Sequence, residues 1–267
     1  MTTAKVTTEV LRIMKQRGEP IAALTAYDHL MASILDAAGV DILLVGDSVG
    51  TVVQGRDTTV GVTMEQIAYH TEMVSRAAKR ALVIADMPFM SFQVSTSEAL
   101  RNAGSLLKEA GAEAVKLEGG QAVAETVRQL TTAGIPVMGH LGLTPQSIHK
   151  FGTYKVRGED PAQADEICRD AQALQAAGAF SLVLEKVPAR LAAKLSEELD
   201  IPTIGIGAGL SCDGQILVTH DMLGLFTRFR PRFVRRYAEL AEATDAAIRD
   251  YVTDVRGRKF PGPSESY

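Results

Sequence analysis

Four apolar runs of this 267-residue chain each end in an acid: Leu43-Leu44-Val45-Gly46-Asp47, Leu82-Val83-Ile84-Ala85-Asp86, Ala114-Val115-Lys116-Leu117-Glu118 and Ser181-Leu182-Val183-Leu184-Glu185. A run that is apolar throughout is the pattern of a strand buried on both faces of a parallel sheet, so these carboxylates stand at strand carboxyl ends. A lone buried acid costs several kcal/mol unless a cation or hydrogen-bond donors compensate it. Brought together, Asp47, Asp86 and Glu118 would repel one another unless protonated or bridged by a cation, and all-oxygen ligation favours a hard ion such as Mg²⁺. Alternation along a strand puts Lys116 and Glu118 on one face and Val115 and Leu117 on the other, so Lys116 offers a positive donor to an anionic substrate oxygen. Glu185, separate in sequence from the metal group, is a candidate general base whose pKa burial could raise. The competing reading makes each acid a salt-bridged or capping residue of a loop, with Glu185 paired to Lys186 or another base. His140, after Pro136-Val137-Met138-Gly139, falls at another strand end, where it binds substrate, orients a ligand or is a satisfied core histidine. His29, His70, His149 and His220 belong to no clear constellation.

Small punctuation between the runs says what must position them. Gly39, Gly111, Gly134 and Gly178 each follow an alanine that closes a helical pattern, and each precedes an apolar strand pattern. Glycine at C′ ends helices in the left-handed conformation, so the repeated Ala-Gly marks short helix-to-strand loops. Helical patterns run at about 30–38, 63–78, 97–110, 122–133, 162–177 and 188–199, after a helix within 1–17 carrying Val6, Val10, Ile13 and Met14. Strand patterns cover Ile21–Thr25, Ile42–Val45, Leu82–Asp86, Ala114–Glu118, Val137–Gly139, Leu182–Leu184, Thr203–Ile206 and, weakest, Gln215–Val218. Strict alternation forces parallel pairing by right-handed crossovers, and eight units in this length predict a (β/α)8 TIM barrel with an added N-terminal helix and a C-terminal helical region from Pro231 to Arg256. An open doubly wound sheet is the alternative. In a barrel the acids, His140 and the Gly205-Ile206-Gly207-Ala208-Gly209 turn share the carboxyl rim, where barrel enzymes carry their sites. The glycine-rich turn lacks a dinucleotide-binding context and reads as close backbone packing.

A hydrophobic content of 46% suffices to bury one large core, and no linker divides the chain, so residues 1–267 read as a single domain with 258–267 a flexible tail. No signal core or membrane-length apolar run is present, which predicts a cytoplasmic protein with no membrane partner. Cys168 and Cys212 have no metal-ligand or disulfide spacing. A net charge of -4 gives no reason to expect nucleic acid; the cluster Arg228, Arg230, Arg232, Arg235 and Arg236 reads as a solvated helix start or a subunit contact.

Six motifs in order resemble the ketopantoate hydroxymethyltransferase family: Thr25-Ala26-Tyr27-Asp28, Val45-Gly46-Asp47-Ser48-Val49-Gly50, Ala85-Asp86-Met87-Pro88-Phe89-Met90, Val115-Lys116-Leu117-Glu118-Gly119-Gly120, Gly139-His140-Leu141-Gly142-Leu143-Thr144-Pro145-Gln146 and Gly205-Ile206-Gly207-Ala208-Gly209. The resemblance runs from about Thr25 to Tyr237. It implies that Asp47, Asp86 and Glu118 belong to a Mg²⁺ site, that Asp47, Ser48, Asp86 and Lys116 contact a 2-oxo acid, and that Glu185 is the proton acceptor. It further implies 5,10-methylenetetrahydrofolate as co-substrate, an enolate of 3-methyl-2-oxobutanoate, ketopantoate as product, and a homo-oligomer, commonly a decamer. Thr153 departs from a second glycine usual in the family, and the match loosens after Leu225. Two other classes compete: a metal-dependent carbon-carbon lyase or mutase on the same kind of barrel, which needs no folate, and a non-catalytic barrel that binds an oxo acid and needs no base.

Overall fold

The structure is a computed structural model and describes residues 4–267; residues 1–3, at the start of the expected N-terminal helix, lie outside the described residues. The chain divides into two compact units, residues 1–217 and 218–267. The first opens with α1 (Thr8–Arg17) and continues through β1 (Ile21–Thr25), α2 (His29–Ala37), β2 (Ile42–Val45), the short α3 (Val49–Val52), α4 (Met64–Ala77), β3 (Leu82–Asp86), α5 (Thr96–Lys108), β4 (Ala114–Glu118) and α6 (Ala124–Thr132). Then follow β5 (Val137–Gly142), the short α7 (Ile148–Phe151), α8 (Pro161–Ala176), β6 (Ser181–Glu185), α9 (Ala189–Glu198), β7 (Thr203–Ile206) and β8 (Gly214–Leu217). Every neighbouring pair of strands is parallel, and β8 pairs back onto β1, so the sheet is a closed barrel in sequence order. That closure excludes the open sheet. The alternation expected after β7 fails, because residues 207–213 alone return the chain to β8 without a helix.

Local chemistry sets the element ends. Thr7, Asp28, Thr63, Ser95 and Asp160 accept backbone N–H bonds from the first turns of α1, α2, α4, α5 and α8, satisfying donors that a helix start leaves orphaned. At the other ends, Gly39, Gly111, Gly134 and Gly178 all adopt positive φ, as the Ala-Gly punctuation predicts. Strand alternation then sorts side chains between two cores. Ile21, Ala23, Ile42, Leu44, Leu82, Ile84, Ala114, Met138, Val183, Ile204 and Ile216 fill the barrel interior, while Val83, Val115, Leu117, Leu182 and Leu184 pack outward beneath the helices. Val6 and Leu11 join the interior cluster, and Val6 N donates to Arg80 O at 2.7 Å, just before β3. The N-terminal segment thus seals the barrel at the amino ends of its strands.

The second unit contains α10 (Thr219–Met222), α11 (Leu240–Arg256) and a 3₁₀ turn at Pro263–Glu265. The helix expected from Pro231 starts only at Leu240. Over the intervening residues the backbone donors leave the helical pattern: Val234 N donates to Pro231 O, Tyr237 N to Met222 O at 2.9 Å and Leu240 N to Leu223 O at 3.0 Å. Within the arginine cluster, Arg236 is spent on Glu239 and on Phe226 O, and Arg230 on Val234 O. Both cysteines are free thiols, and among the described residues no helix is long and apolar enough to cross a membrane.

Candidate active site

One step above the apolar interior layers, the inward positions change from aliphatic to charged. On β3, Leu82 and Ile84 are followed by Asp86; on β4, Ala114 by Lys116 and Glu118; on β5, Met138 by His140; on β6, Val183 by Glu185. Register turns this layer into contacts. Asp86 pairs with Lys116 across β3 and β4, and Lys116 Nζ lies 2.7 Å from Asp86 Oδ1. Glu118 pairs with His140 across β4 and β5, with Oε1 3.4 Å from the imidazole Nδ1. The other imidazole nitrogen, Nε2, lies 3.3 Å from Glu185 Oε2. Asp47 arrives from the turn between β2 and α3, where its backbone N–H donates to Asp86 Oδ2 at 3.0 Å. Asp47, Asp86, Lys116, Glu118 and His140 are all buried, whereas Glu185 is partly open. Ser48 stands beside them, its Oγ 2.7 Å from the Tyr27 hydroxyl. Asp47, Ser48, Asp86, Lys116, Glu118, His140 and Glu185 therefore stand in one cluster.

Close approach at β6 depends on one glycine. Gly142 pairs with Glu185 across β5 and β6 at φ +91°, and an added Cβ would stand 2.2 Å from Glu185 O. Lys186 is not the partner of Glu185: its ammonium donates to Tyr154 O, and its backbone N donates to Ile206 O at 2.9 Å. The base that Glu185 meets is His140, not Lys186.

The cluster is electrostatically loaded. Burial raises the Asp47 carboxyl above its ordinary range, and the Glu118 charge raises it further. Burial likewise lifts Asp86 to about 6, against the opposing pull of Lys116. Burial disfavours the Lys116 cation, but Asp86, Glu118 and Asp47 outweigh it and hold the ammonium charged. For His140, burial and Lys116 press the pKa down, while the facing carboxylates of Glu118 and Glu185 prevail and bring it to about 9. With all groups ionised, four carboxylates face two cations, and the site carries two uncompensated negative charges.

Sequence spacing did not single out Gln146 or Tyr27. Gln146 lies buried in a 3₁₀ turn (Pro145–Ser147) immediately after β5, and its Nε2 donates to Asp47 Oδ2 at 3.2 Å. Tyr27 is anchored to Ser48 through its hydroxyl and receives His70 Nδ1 at its carbonyl, 2.7 Å away. The signal for both is their place in the Thr25–Asp28 and Gly139–Gln146 motifs that carry the family resemblance.

The donor set fits a hard divalent cation. Glu118 Oε1 is buried without a hydrogen-bonding partner, and Asp86 Oδ1 meets Lys116 as an ion pair without hydrogen-bond alignment. Among the described residues no three His, Cys, Asp or Glu side chains are drawn together tightly enough to enclose an ion. Mg²⁺ needs no such cage, since one or two carboxylates with water and substrate oxygens complete its shell.

Comparison with known proteins agrees with this reading of the motifs. A family model described as ketopantoate hydroxymethyltransferase matches residues 5–263. The 3-methyl-2-oxobutanoate hydroxymethyltransferase of Chlorobium luteolum is 57% identical over 99% of this chain and 97% of its own length. That of Syntrophus aciditrophicus is 55% identical over 98% and 97%. Among solved structures, a phosphonopyruvate hydrolase complex with oxalate and Mg⁺⁺ aligns with a TM-score of 0.62 at 14% identity, over 99% of this chain and 93% of that one. A 2,3-dimethylmalate lyase aligns at 0.59 and 18%, over 96% and 89%. These distant structures share the fold alone. From the family match and the near-full-length relatives, the chain belongs to the ketopantoate hydroxymethyltransferase family and is an enzyme of that family.

Proposed function

We propose that this chain transfers a hydroxymethyl group from 5,10-methylenetetrahydrofolate to 3-methyl-2-oxobutanoate, giving ketopantoate and tetrahydrofolate in the cytoplasmic supply of pantothenate and coenzyme A. The observation that carries this reading is the placing of Glu185 at the partly open rim, 3.3 Å from His140 Nε2, beside the buried group of Lys116 and three further acids. A proton acceptor close to the Lys116 ammonium suits removal of a proton from the carbon adjacent to a carbonyl.

In this reading Glu185 takes the proton from C3 of the oxo acid, and the released electron pair moves through C2 onto the keto oxygen. Lys116 faces the oxygen on which that charge develops and stabilises it without reorganising. His140 fixes the Glu185 carboxylate, and Ser48, braced by Tyr27, helps hold the substrate. Asp47 and Asp86 would hold Mg²⁺ with Glu118 in support; bound there, the ion supplies Lewis-acid polarisation of the substrate oxygens. C3 then forms its bond to the methylene carbon of the folate. Over the cycle both carbon–nitrogen bonds of that methylene break; one water supplies the hydroxyl oxygen and two hydrogens, and the proton taken up by Glu185 supplies the third, for the product hydroxyl and the two folate N–H groups. The exposed apolar Leu30 and Ile34, one turn apart on α2, and Tyr69 on α4 support a homo-oligomer, a decamer by family resemblance.

The test is C3 proton exchange of 3-methyl-2-oxobutanoate in D₂O, followed by NMR with and without Mg²⁺. Wild type should exchange in a metal-dependent way, and Glu185→Gln should slow exchange by about 10²–10⁴-fold. Absence of ketopantoate after adding the folate would sink the proposal.

A further inference from the structure

The Leu143-Thr144-Pro145-Gln146 stretch has no part in the steps above, yet its glutamine is among the most connected side chains of the site. The backbone N–H of Gln146 donates to Glu118 Oε2 at 3.0 Å. Its side-chain Nε2 donates in two directions, to Asp47 Oδ2 at 3.2 Å and to Met87 O at 3.0 Å. Met87 follows Asp86 directly, and its own N–H donates to Lys116 O at 2.8 Å. One residue therefore ties together the segments that carry Asp47, Asp86 and Glu118. The amide has two N–H donors, and both are used. Its acceptor is not: Gln146 Oε1 is buried without a partner, although the residue is 3% exposed.

We infer that Gln146 is the positioning residue of the cation site, holding Asp47 and Glu118 at a preset separation so that a divalent ion meets an assembled pair. The inference rests on the metal-dependent reading above. Like charges drawn to one place drift apart unless donors hold them, and partners behind a ligand govern affinity about 10- to 100-fold. The side chain suits the task. Ionised glutamate has no N–H to give, methionine has none, and asparagine is one methylene short of the reach. The unpaired Oε1 is left to accept a hydrogen bond from the water of a hydrated cation.

Mn²⁺ binding, read as loss of the free-ion EPR signal, separates the possibilities. Wild type should bind Mn²⁺ at a site that Asp86→Asn removes. Gln146→Met keeps the backbone N–H on Glu118 and cuts the side-chain ties to Asp47 and to Met87 O, so its Kd for Mn²⁺ should rise about 10- to 100-fold. C3 exchange by this variant should need correspondingly more Mn²⁺ but return to within about threefold of wild type at saturation, which a collapsed site would not do. An unchanged Kd in Gln146→Met overturns the inference and leaves the proposed function standing. If wild type binds no Mn²⁺ at an Asp86-dependent site, both fall. Should Gln146→Met not fold, Gln146→Asn decides by the same criterion: at least a tenfold weaker Kd supports the role, and an unchanged one refutes it.

Discussion

Lys116 Nζ and Asp86 Oδ1 meet at 2.7 Å from directly paired positions on adjacent strands, with side chains only 4% and 2% exposed. Desolvation offsets most of the attraction in such a pair, so its worth to stability is small, but breaking it strands a charge. Lys116→Met should cost about 3–5 kcal/mol in urea unfolding of the metal-free protein. Lys116→Met combined with Asp86→Leu should recover most of that loss. A double variant as unstable as the single one would show that the pair is not what holds this layer.

Gly142→Ala should damage both stability and chemistry. The left-handed backbone costs a residue with Cβ about 1–2 kcal/mol, and the new methyl meets the Glu185 carbonyl at 2.2 Å. Relief requires β6 to move, taking the Glu185 carboxylate with it. C3 exchange should fall at least about tenfold while the circular dichroism spectrum is retained. Exchange at the wild-type rate would mean that the β5 to β6 spacing does not govern the base.

The charged layer sets a pH profile for the metal-free protein. His140 stands at about 9 against an ordinary 6.5, so its stabilisation is complete below pH 6.5 and is lost as the pH rises through 9. Its size is about 3 kcal/mol by linkage. Asp86 stands at about 6 against 3.8, so the folded state holds the proton more tightly and stability falls between pH 4 and 6. Both slopes are downward with rising pH. In EDTA, urea midpoints of wild type minus His140→Gln should decline between pH 6.5 and 9, and those of wild type minus Asp86→Asn between pH 4 and 6. A flat difference in either window removes that group from the account.

At the opposite end of the barrel, Leu11 is fully buried in the interior cluster with Val6. Leu11→Ala should lower stability by about 2–5 kcal/mol. Its C3 exchange rate at 25 °C should stay within about twofold of wild type, because the rim chemistry is held by the opposite strand ends. A large loss of exchange in a folded Leu11→Ala protein would break that separation.

Much of this arrangement is legible in sequence because a period of two is so restrictive. Once Ile84 faces the interior, Asp86 must as well, and the same logic places Lys116 with Glu118. The barrel follows from strand and helix alternation, and the Ala-Gly junctions mark its loops. What escapes is whatever depends on contacts without a spacing rule. Gln146 touches Asp47 across a separation of 99 residues, and nothing near either residue announces the other. The start of α11 is mislocated for a related reason, since Tyr237 and Leu240 give their N–H groups to the end of α10 rather than to carbonyls one turn back. The β7 to β8 return lacks a helix, and β8 is the weakest strand pattern in the chain because it opens on Gly214 and exposes Gln215.

The ring of strands has a consequence for how the protein is made. Ile21 on β1 pairs with Gly214 on β8, so the first strand synthesised waits for the last before both of its edges are covered. At translation rates of about 5–20 residues per second that wait is roughly 10–40 s. Throughout it β1 offers backbone donors and acceptors to any other extended segment nearby. Newborn chains, more than finished ones, are therefore where this protein is open to mispairing, and a chaperone that shields emerging strands should raise its yield more than one that rescues the heated enzyme.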